Sequence, residues 1–197
     1  MDLPTFQKAL ATHLYPVLRR EGFKGSGATL RRIDGPLVHV FNVQGSKGGS
    51  HGYLNLGVQL DFLDPAPPRP VDKVLEYECA FRERLHSTPD RGDWDYGASA
   101  ADCEAAAHAA VTAWETRGRP WFARLSRWPA DFAARVGTFD PHEAHAAHGL
   151  LMARIARQLG DTARARAIAE PALACTPERA SGLRADLGQL LAELPPA

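Results

Sequence analysis

The sequence predicts an α+β fold, with one antiparallel sheet of three or four strands, helices packed on one face and an α-helical C-terminal tail. Three observations support this prediction. Residues 54–62 alternate between apolar and polar side chains, which is the pattern of a half-buried strand. A glycine-rich connector, GSKGGSHG, joins this stretch to an earlier β-rich run that begins at Leu37. From Ser99 onward, helical spacing replaces alternation and the chain becomes rich in alanine.

The composition is that of an ordinary globular protein. The 197 residues are 45% hydrophobic and 23% charged, with a formal net charge of +0. A neutral chain argues against a general nucleic-acid binder, and no run of about eighteen apolar residues predicts a membrane span. The first residues lack the basic and apolar regions of a secretory signal, and the three cysteines form no CxxC motif. These features predict a cytoplasmic protein with reduced thiols, and the excess of arginine and alanine suggests a GC-rich bacterial genome.

The first elements are a helix and a hairpin. Apolar residues at helical spacing predict a helix over residues 4–21, ended by Gly22. A strand over residues 28–33 follows, and the Asp34-Gly35 pair predicts a two-residue turn before Pro36 opens the next strand. This turn would place Arg31 opposite Val38 and Leu30 opposite His39.

The connector sets the register of the central hairpin. If residues 45–52 form it symmetrically, Asn42 lies opposite Asn55 and Phe41 opposite Leu56. One face is then apolar and covers the first helix, while the other face is mostly polar. The apolar face carries Leu30, Leu37, His39, Phe41, Val43, Leu54, Leu56, Val58 and Leu60; the polar face carries Thr29, Arg31, Asn42, Gln44, Tyr53, Asn55 and Gln59, together with Val38 and Val40.

The next stretch is harder to assign. Residues 64–70, DPAPPRP, predict a stiff proline-rich connection. Residues 74–85 alternate in a way that suits a fourth strand, and a helix fits them equally well. If they form a strand in this sheet, Arg82 and Arg84 join the polar face.

The remaining chain is predicted to be helical. Ser99 caps a helix to about Thr116, a second helix spans residues 119–125 after a Gly-Arg-Pro break, and Phe132 and Phe139 bracket a third. Residues 141–194 read as three further helices. We therefore predict an α+β domain over residues 1–138 and a helical hairpin with a capping helix, packed on that domain, over residues 139–197.

The polar face is the predicted binding site. Its amides can donate and accept hydrogen bonds, and arginine binds carboxylates and phosphates through two parallel hydrogen bonds. The alternative is a solvated face whose arginines pair with Glu76 or Glu78. The candidate binding residues are Arg31, Asn42, Gln44, Tyr53, Asn55, Gln59, Arg82 and Arg84.

Other motifs favour structural roles. GSKGGSHG leads into a strand, whereas a phosphate-binding loop leads into a helix and ends in GK[ST]. His142, His145 and His148 are spaced by three, whereas the zinc motif HExxH spaces its histidines by four, so no metal site is predicted.

Neither the tryptophans nor the cysteines indicate an active site. Trp114, Trp121 and Trp128 alternate with arginines, and the neutral charge favours core anchors over base stacking. Cys79 and Cys103 have no identifiable partner that would activate a thiol, so both are interpreted as buried small side chains. The sequence predicts no catalytic residue and no cofactor.

The first part of the chain resembles a bacterial family known as domain of unknown function 4304. The resemblance covers about residues 1–125 and rests on LRREGFK from Leu18, Arg31-Arg32, FNVQGSK from Phe41, NLGV from Asn55, ECAFRERL from Glu78 with Trp94, and PWF from Pro120. It implies a small bacterial α+β domain without an assigned activity or established catalytic residues. Some relatives are suspected of belonging to toxin–immunity gene clusters.

The tail resembles the second half of a tetratricopeptide repeat. Small residues and a closing proline match that motif at Ala153, Gly160, Ala165, Ala172 and Pro177. Only one repeat is visible and Pro171 interrupts its second helix, so the resemblance implies a helical hairpin under a lid of residues 178–194. A peptide-binding groove is not implied, because such grooves need an array of repeats.

These observations favour a non-catalytic cytoplasmic binding protein with a protein partner. More specifically, the chain would be an immunity protein and its partner a toxin. An enzyme or a small-anion binder that uses the same face is the alternative. A third hypothesis is nucleic-acid binding through the segment of tryptophans and arginines.

Overall fold

Residues 1–63 and 69–195 are described by the structure, a computed structural model in which the chain forms two units, Met1–Ser126 and Arg127–Ala197. The first unit combines an antiparallel sheet with helices and the second is helical, so the α+β class is confirmed. Helix α5 (Ala130–Thr138), which the predicted boundary assigns to the first domain, lies in the second unit. No helix in the described parts of the chain is long and apolar enough to cross a membrane.

The sheet of the first unit has six strands within the described residues, two of them short. Strands β1 to β5 follow one another across the sheet, and β6 pairs with β4 beyond the end of β5. The outer edge of β5 is therefore unpaired by any described strand. The strands are β1 (Lys24–Ser26), β2 (Thr29–Asp34), β3 (Leu37–Gly45), β4 (His51–Leu60), β5 (Phe81–Leu85) and β6 (Trp94–Asp95).

The register of β3 and β4 is the predicted one, with Asn42 opposite Asn55. The predicted register of β2 and β3 is wrong by two residues, because Arg31 lies opposite Val40 and not Val38. The turn consists of Gly35 and Pro36, which keeps proline, without an amide hydrogen, out of the ladder. A shift of two preserves the faces of both strands.

Helices cover the apolar face of the sheet. The predicted helix over residues 4–21 breaks at Leu14, because Pro16 has no amide hydrogen for the carbonyl of the preceding turn. The predicted break before Pro120 is absent, since a π-helical turn joins α3 to α4. Phe41 meets the rings of Tyr15 and Trp114 edge-on at 6.3 and 6.2 Å between centroids. The helices are α1 (Leu3–His13), α2 (Tyr15–Arg20), α3 (Ala100–Ala113) and α4 (Arg119–Ala123).

Residues 71–80, which we name the cover segment, lie on the other face of the sheet. The segment contains two short 3₁₀ turns, Val71–Lys73 and Glu76–Glu78, so the fourth strand begins only at Phe81. Val74 and Cys79 form a buried cluster with Val38 and Val40. Residues 64–68 of the predicted proline-rich connection lie outside the described residues.

The cover segment can approach the sheet closely because β4 has a glycine beneath it. A Cβ atom at Gly57 would lie 2.6 Å from the sulfur of Cys79 and 3.3 Å from the carbonyl oxygen of Glu76. Any larger side chain at position 57 would push the cover segment away from the sheet.

The second unit consists of α5 followed by three helices, as predicted for residues 141–194. They are α6 (Ala146–Gln158), α7 (Thr162–Cys175) and α8 (Ser181–Glu193). Helices α6 and α7 form a hairpin in which Gly149 faces Ala172. Pro171 does not interrupt α7, which continues to Cys175, so that prediction was wrong. The tetratricopeptide-like character of this hairpin stays a prediction.

Candidate binding surface

The cover segment divides the polar face of the sheet into a covered part and an open part. The covered part contains Gln59, which is 4% exposed, and the half-buried Arg31. The amide of Gln59 donates to the carbonyls of Leu63 and Glu78, and its oxygen accepts from the amide nitrogen of Ala80 at 3.2 Å. The expectation that Gln59 faces solvent is therefore wrong, because its polar atoms hold the cover segment in place.

Arg31 also holds the cover segment on the sheet. Its Nε donates to the carbonyl oxygen of Val74 at 2.6 Å, and its terminal nitrogen reaches the carbonyl of Lys73. Partial burial lowers the pKa of Arg31. Its guanidinium anchors the cover segment and has fewer donors left for a ligand than the sequence suggested.

The amides of the open part are largely engaged with one another. Asn42 donates to the hydroxyl of Thr29 at 3.0 Å, and Asn55 donates to the side-chain oxygen of Gln44 at 3.1 Å. Asn55 is only 4% exposed, which corrects the prediction that it points outward into water. Gln44 is exposed and Tyr53 half-exposed, so both offer polar atoms at the surface.

Strand β5 brings both predicted arginines to this face. Arg82 lies opposite Gly57 and Arg84 opposite Asn55, as expected for a fourth strand. Arg82 is neutralised by Glu76, whose carboxylate oxygen lies 2.8 Å from Nε and whose side chain is only 7% exposed. Arg82 therefore pairs with Glu76, as the alternative to a binding role predicted.

Arg84 is placed differently. Its guanidinium lies 4.1 Å above the ring of Tyr53, and it forms no ion pair with any carboxylate in residues 1–63 and 69–195. Stacking on an aromatic ring holds the planar group in one orientation while its outer donors face solvent. Arg84 is therefore a preorganised cation at the surface.

A concavity of about 380 Å³ lies beside Arg82 and Glu76. The edge of the concavity includes Tyr77, which is 63% exposed. Sequence reasoning missed Tyr77 because the alternating pattern assigned it to the same face as Cys79, which is buried. The lining includes Asn42, Gln44, Leu75, Glu76, Tyr77 and Arg82.

The thiols inside the first unit are unsuited to nucleophilic chemistry. Burial raises the pKa of Cys79 to about 12, so its thiol stays protonated at neutral pH. Cys103 donates to the carbonyl oxygen of Tyr96 at 3.0 Å, and burial raises its pKa as well.

The tryptophans of the predicted nucleic-acid-binding segment do not all belong to the same unit. Trp114 is 0% exposed and donates to Glu21, which also pairs with Arg119. Trp128 belongs to the second unit, whereas Trp114 and Trp121 belong to the first. Trp114 is thus a core anchor, as the sequence predicted.

The three histidines near residue 145 have separate roles. His145 accepts a hydrogen bond from the backbone of Ala147 at the start of α6. The ring of His148 packs edge-on against Phe139, and burial lowers its pKa. The backbone of His142 donates to Asp140.

The chain was compared with curated proteins, solved structures and protein-family models, and a family model matches most of the first unit. Neither a curated protein nor a solved structure matches the chain. A family model described as domain of unknown function (DUF4304) matches residues 14–124, which include the whole sheet and α2 to α4. The match spans more than half of the 197 residues, and the chain therefore belongs to the DUF4304 family.

Proposed function

We propose that the chain is a non-catalytic binding protein that engages a protein partner through the open part of its polar sheet face. The observation that carries this proposal is the guanidinium of Arg84, which is stacked on Tyr53 and has no carboxylate partner among the described residues. Exposed Gln44 lies opposite Tyr53 in the sheet, and exposed Tyr77 lines the concavity beside Arg82, so this face offers both polar and aromatic side chains.

The chemistry of this surface favours a protein with an acidic group. Tyrosine and arginine are enriched at the energetic centres of protein interfaces, because each combines a large contact area with polar atoms. Arg82 is already neutralised by Glu76, so Arg84 supplies the uncompensated charge. A carboxylate of the partner would complete the two parallel hydrogen bonds that a guanidinium can donate.

Charge reversal tests the proposal. The full chain is used to capture partners from its native cell extract, in parallel with Arg84→Glu and with Lys8→Glu, a matched reversal on an exposed position of α1. We expect the partner to be retained by the parent and by Lys8→Glu, and to be reduced at least roughly tenfold by Arg84→Glu, because the loss of a charged contact costs about 2–5 kcal/mol. Equal capture by all three proteins, with unchanged circular dichroism, would contradict the proposed surface.

A narrower form of the proposal makes the partner a toxin. It rests on the family resemblance and includes the predicted bacterial origin and cytoplasmic location. The free thiols favour the cytoplasmic location. The product of a neighbouring gene should arrest growth when expressed alone and lose this effect when this chain is co-expressed. Growth arrest that persists with the parent chain would remove the immunity role and leave the binding surface to the capture experiment.

A further inference from the structure

His13, Glu104 and His108 bring three metal-ligating atoms together on the helical layer of the first unit. One ligand atom from each side chain lies within 4.8 Å of the other two. His13 is the last residue of α1, and Glu104 and His108 lie on α3. We propose that these residues form a binding site for a divalent transition-metal ion of the Zn²⁺ class.

The backbone positions suit such a site. Glu104 and His108 are separated by four residues and therefore share one face of α3. Helices α1 and α3 pack against each other, which brings His13 to that face. The C-terminal end of a helix carries partial negative charge, so a cation beside His13 is favoured by α1 itself.

The side chains already converge. The Nε2 atom of His13 contacts a carboxylate oxygen of Glu104, and the rings of His13 and His108 lie 4.1 Å apart between centroids. No described residue hydrogen-bonds to the ring of His108, so its nitrogens are free to act as ligands within this part of the chain. Zinc ligands lie about 2.0–2.2 Å from the metal and hence roughly 3.3 Å from one another, so small side-chain rotations complete the geometry.

The ligand set selects the ion and leaves it accessible. Two imidazoles and one carboxylate suit zinc and its transition-metal neighbours, whereas Mg²⁺ and Ca²⁺ prefer oxygen ligands alone. The side chains of His13 and Glu104 are 24% and 50% exposed, so a water molecule can occupy the fourth position.

Isothermal titration with ZnCl₂ tests the site in the full chain. Cys175→Ser is introduced into every protein, because Cys175 is an exposed thiol and thiols are zinc ligands. We expect one site in this parent, at least a tenfold loss of affinity in Glu104→Gln and in His108→Ala, and no change in His142→Ala, an exposed histidine outside the cluster. Glu104 and His108 are exposed, so both variants should fold.

A thermal readout accompanies the titration. Excess Zn²⁺ should raise the melting temperature of the parent and of His142→Ala, and it should not raise that of His108→Ala, because an ion that binds only the folded state stabilises it. Absence of binding heat in the parent, or binding by His108→Ala with the affinity of the parent, would overturn the proposal. The three residues would then form only an ion pair between His13 and Glu104 beside a second histidine.

Discussion

His39 is a histidine inside the hydrophobic core. It is 0% exposed, its ring lies 5.2 Å from that of Phe122, and its Nε2 donates to the carbonyl oxygen of Leu125 at 3.2 Å. Burial, with a smaller effect of nearby Arg32, lowers the pKa of His39 to about 4. The neutral ring therefore links β3 to the chain that follows α4 without placing a charge in the core.

The depressed pKa makes the stability of the first unit depend on pH. The unfolded chain takes up a proton near pH 6.5 and the folded chain only near pH 4, so the free energy of unfolding should fall as the pH decreases between these values. The loss should reach up to about 3 kcal/mol. Urea unfolding of the parent and of His39→Leu at several pH values measures it, and the difference between the two should vary with pH only in this window. Parallel pH profiles of the two proteins would contradict the assignment.

At this scale, sequence reasoning identified which face of the sheet each residue occupies and not what covers that face. It placed His39 with the apolar residues, and it placed Asn55 and Gln59 with the polar ones. Both amides are nevertheless buried, because the cover segment and neighbouring side chains supply the hydrogen bonds that water would otherwise make. The alternating pattern predicts on which face of the sheet a side chain lies. It cannot predict whether a later segment of the chain packs over that face.

Among the elements, the cover segment was the least predictable. The alternation of Tyr77, Cys79 and Phe81 runs from the cover segment into β5 and resembles one continuous strand, yet only Phe81 belongs to a strand. The 3₁₀ turn Glu76–Glu78 lies within the first part of the predicted strand, and the cover segment is held by hydrogen bonds with Arg31 and Gln59, which are distant in sequence. Local propensity cannot report such contacts.

Cysteine labelling measures how often the cover segment opens. Cys79 is a buried residue of the cover segment and Cys103 is a buried residue of α3, so in a Cys175→Ser background both thiols should react slowly in the native protein. Arg31→Met keeps the length of the side chain and removes its donors to the cover segment. We expect labelling of Cys79 to accelerate roughly tenfold or more, since a hydrogen bond from a charged group contributes about 1.5–3 kcal/mol.

Cys103 is the internal control in that experiment. Its labelling rate should stay unchanged in Arg31→Met, because its thiol is buried and donates a hydrogen bond to the carbonyl oxygen of Tyr96, away from the cover segment in sequence. Equal acceleration at both cysteines would mean that the substitution destabilises the whole first unit, and no acceleration at either would show that Arg31 does not hold the segment.

The hairpins show why one register was predicted correctly and the other was not. The connector between β3 and β4 is symmetrical, and both strands carry long alternating patterns that leave one consistent pairing. The turn between β2 and β3 contains both Asp34-Gly35 and Gly35-Pro36, and either pair satisfies the alternation. The cost of placing Pro36 in the ladder decides between them.

At the scale of the whole molecule, the family match and the division of the chain agree. The matched residues 14–124 fall inside the unit Met1–Ser126. We expect residues 1–126, expressed alone, to unfold cooperatively in urea, because the sheet and the helices that cover it lie within this unit. Fluorescence of the buried Trp94 and Trp114 follows the transition. As a control, a fragment of residues 1–98 should fail to fold, since it lacks α3 and Trp114. Gradual, non-cooperative unfolding of residues 1–126 would contradict the prediction that they fold independently.

The fold class was predictable because it depends on periodicity, which each strand and helix carries within itself. The cluster of His13, Glu104 and His108 was not predictable, because α1 and α3 are separated by the entire sheet in sequence and no short motif connects them. Groups that are assembled by tertiary packing leave no local pattern in the sequence.

The unpaired outer edge of β5 has a consequence for the behaviour of the protein at high concentration. Exposed strand edges recruit further strands and can begin aggregation. Here the edge is only five residues long and carries exposed Arg82, Glu83 and Arg84 in succession. A second strand that paired with this edge would have to remove water from these charged groups, and in an in-register pairing it would also bring like charges together, so we expect the edge to disfavour edge-to-edge association.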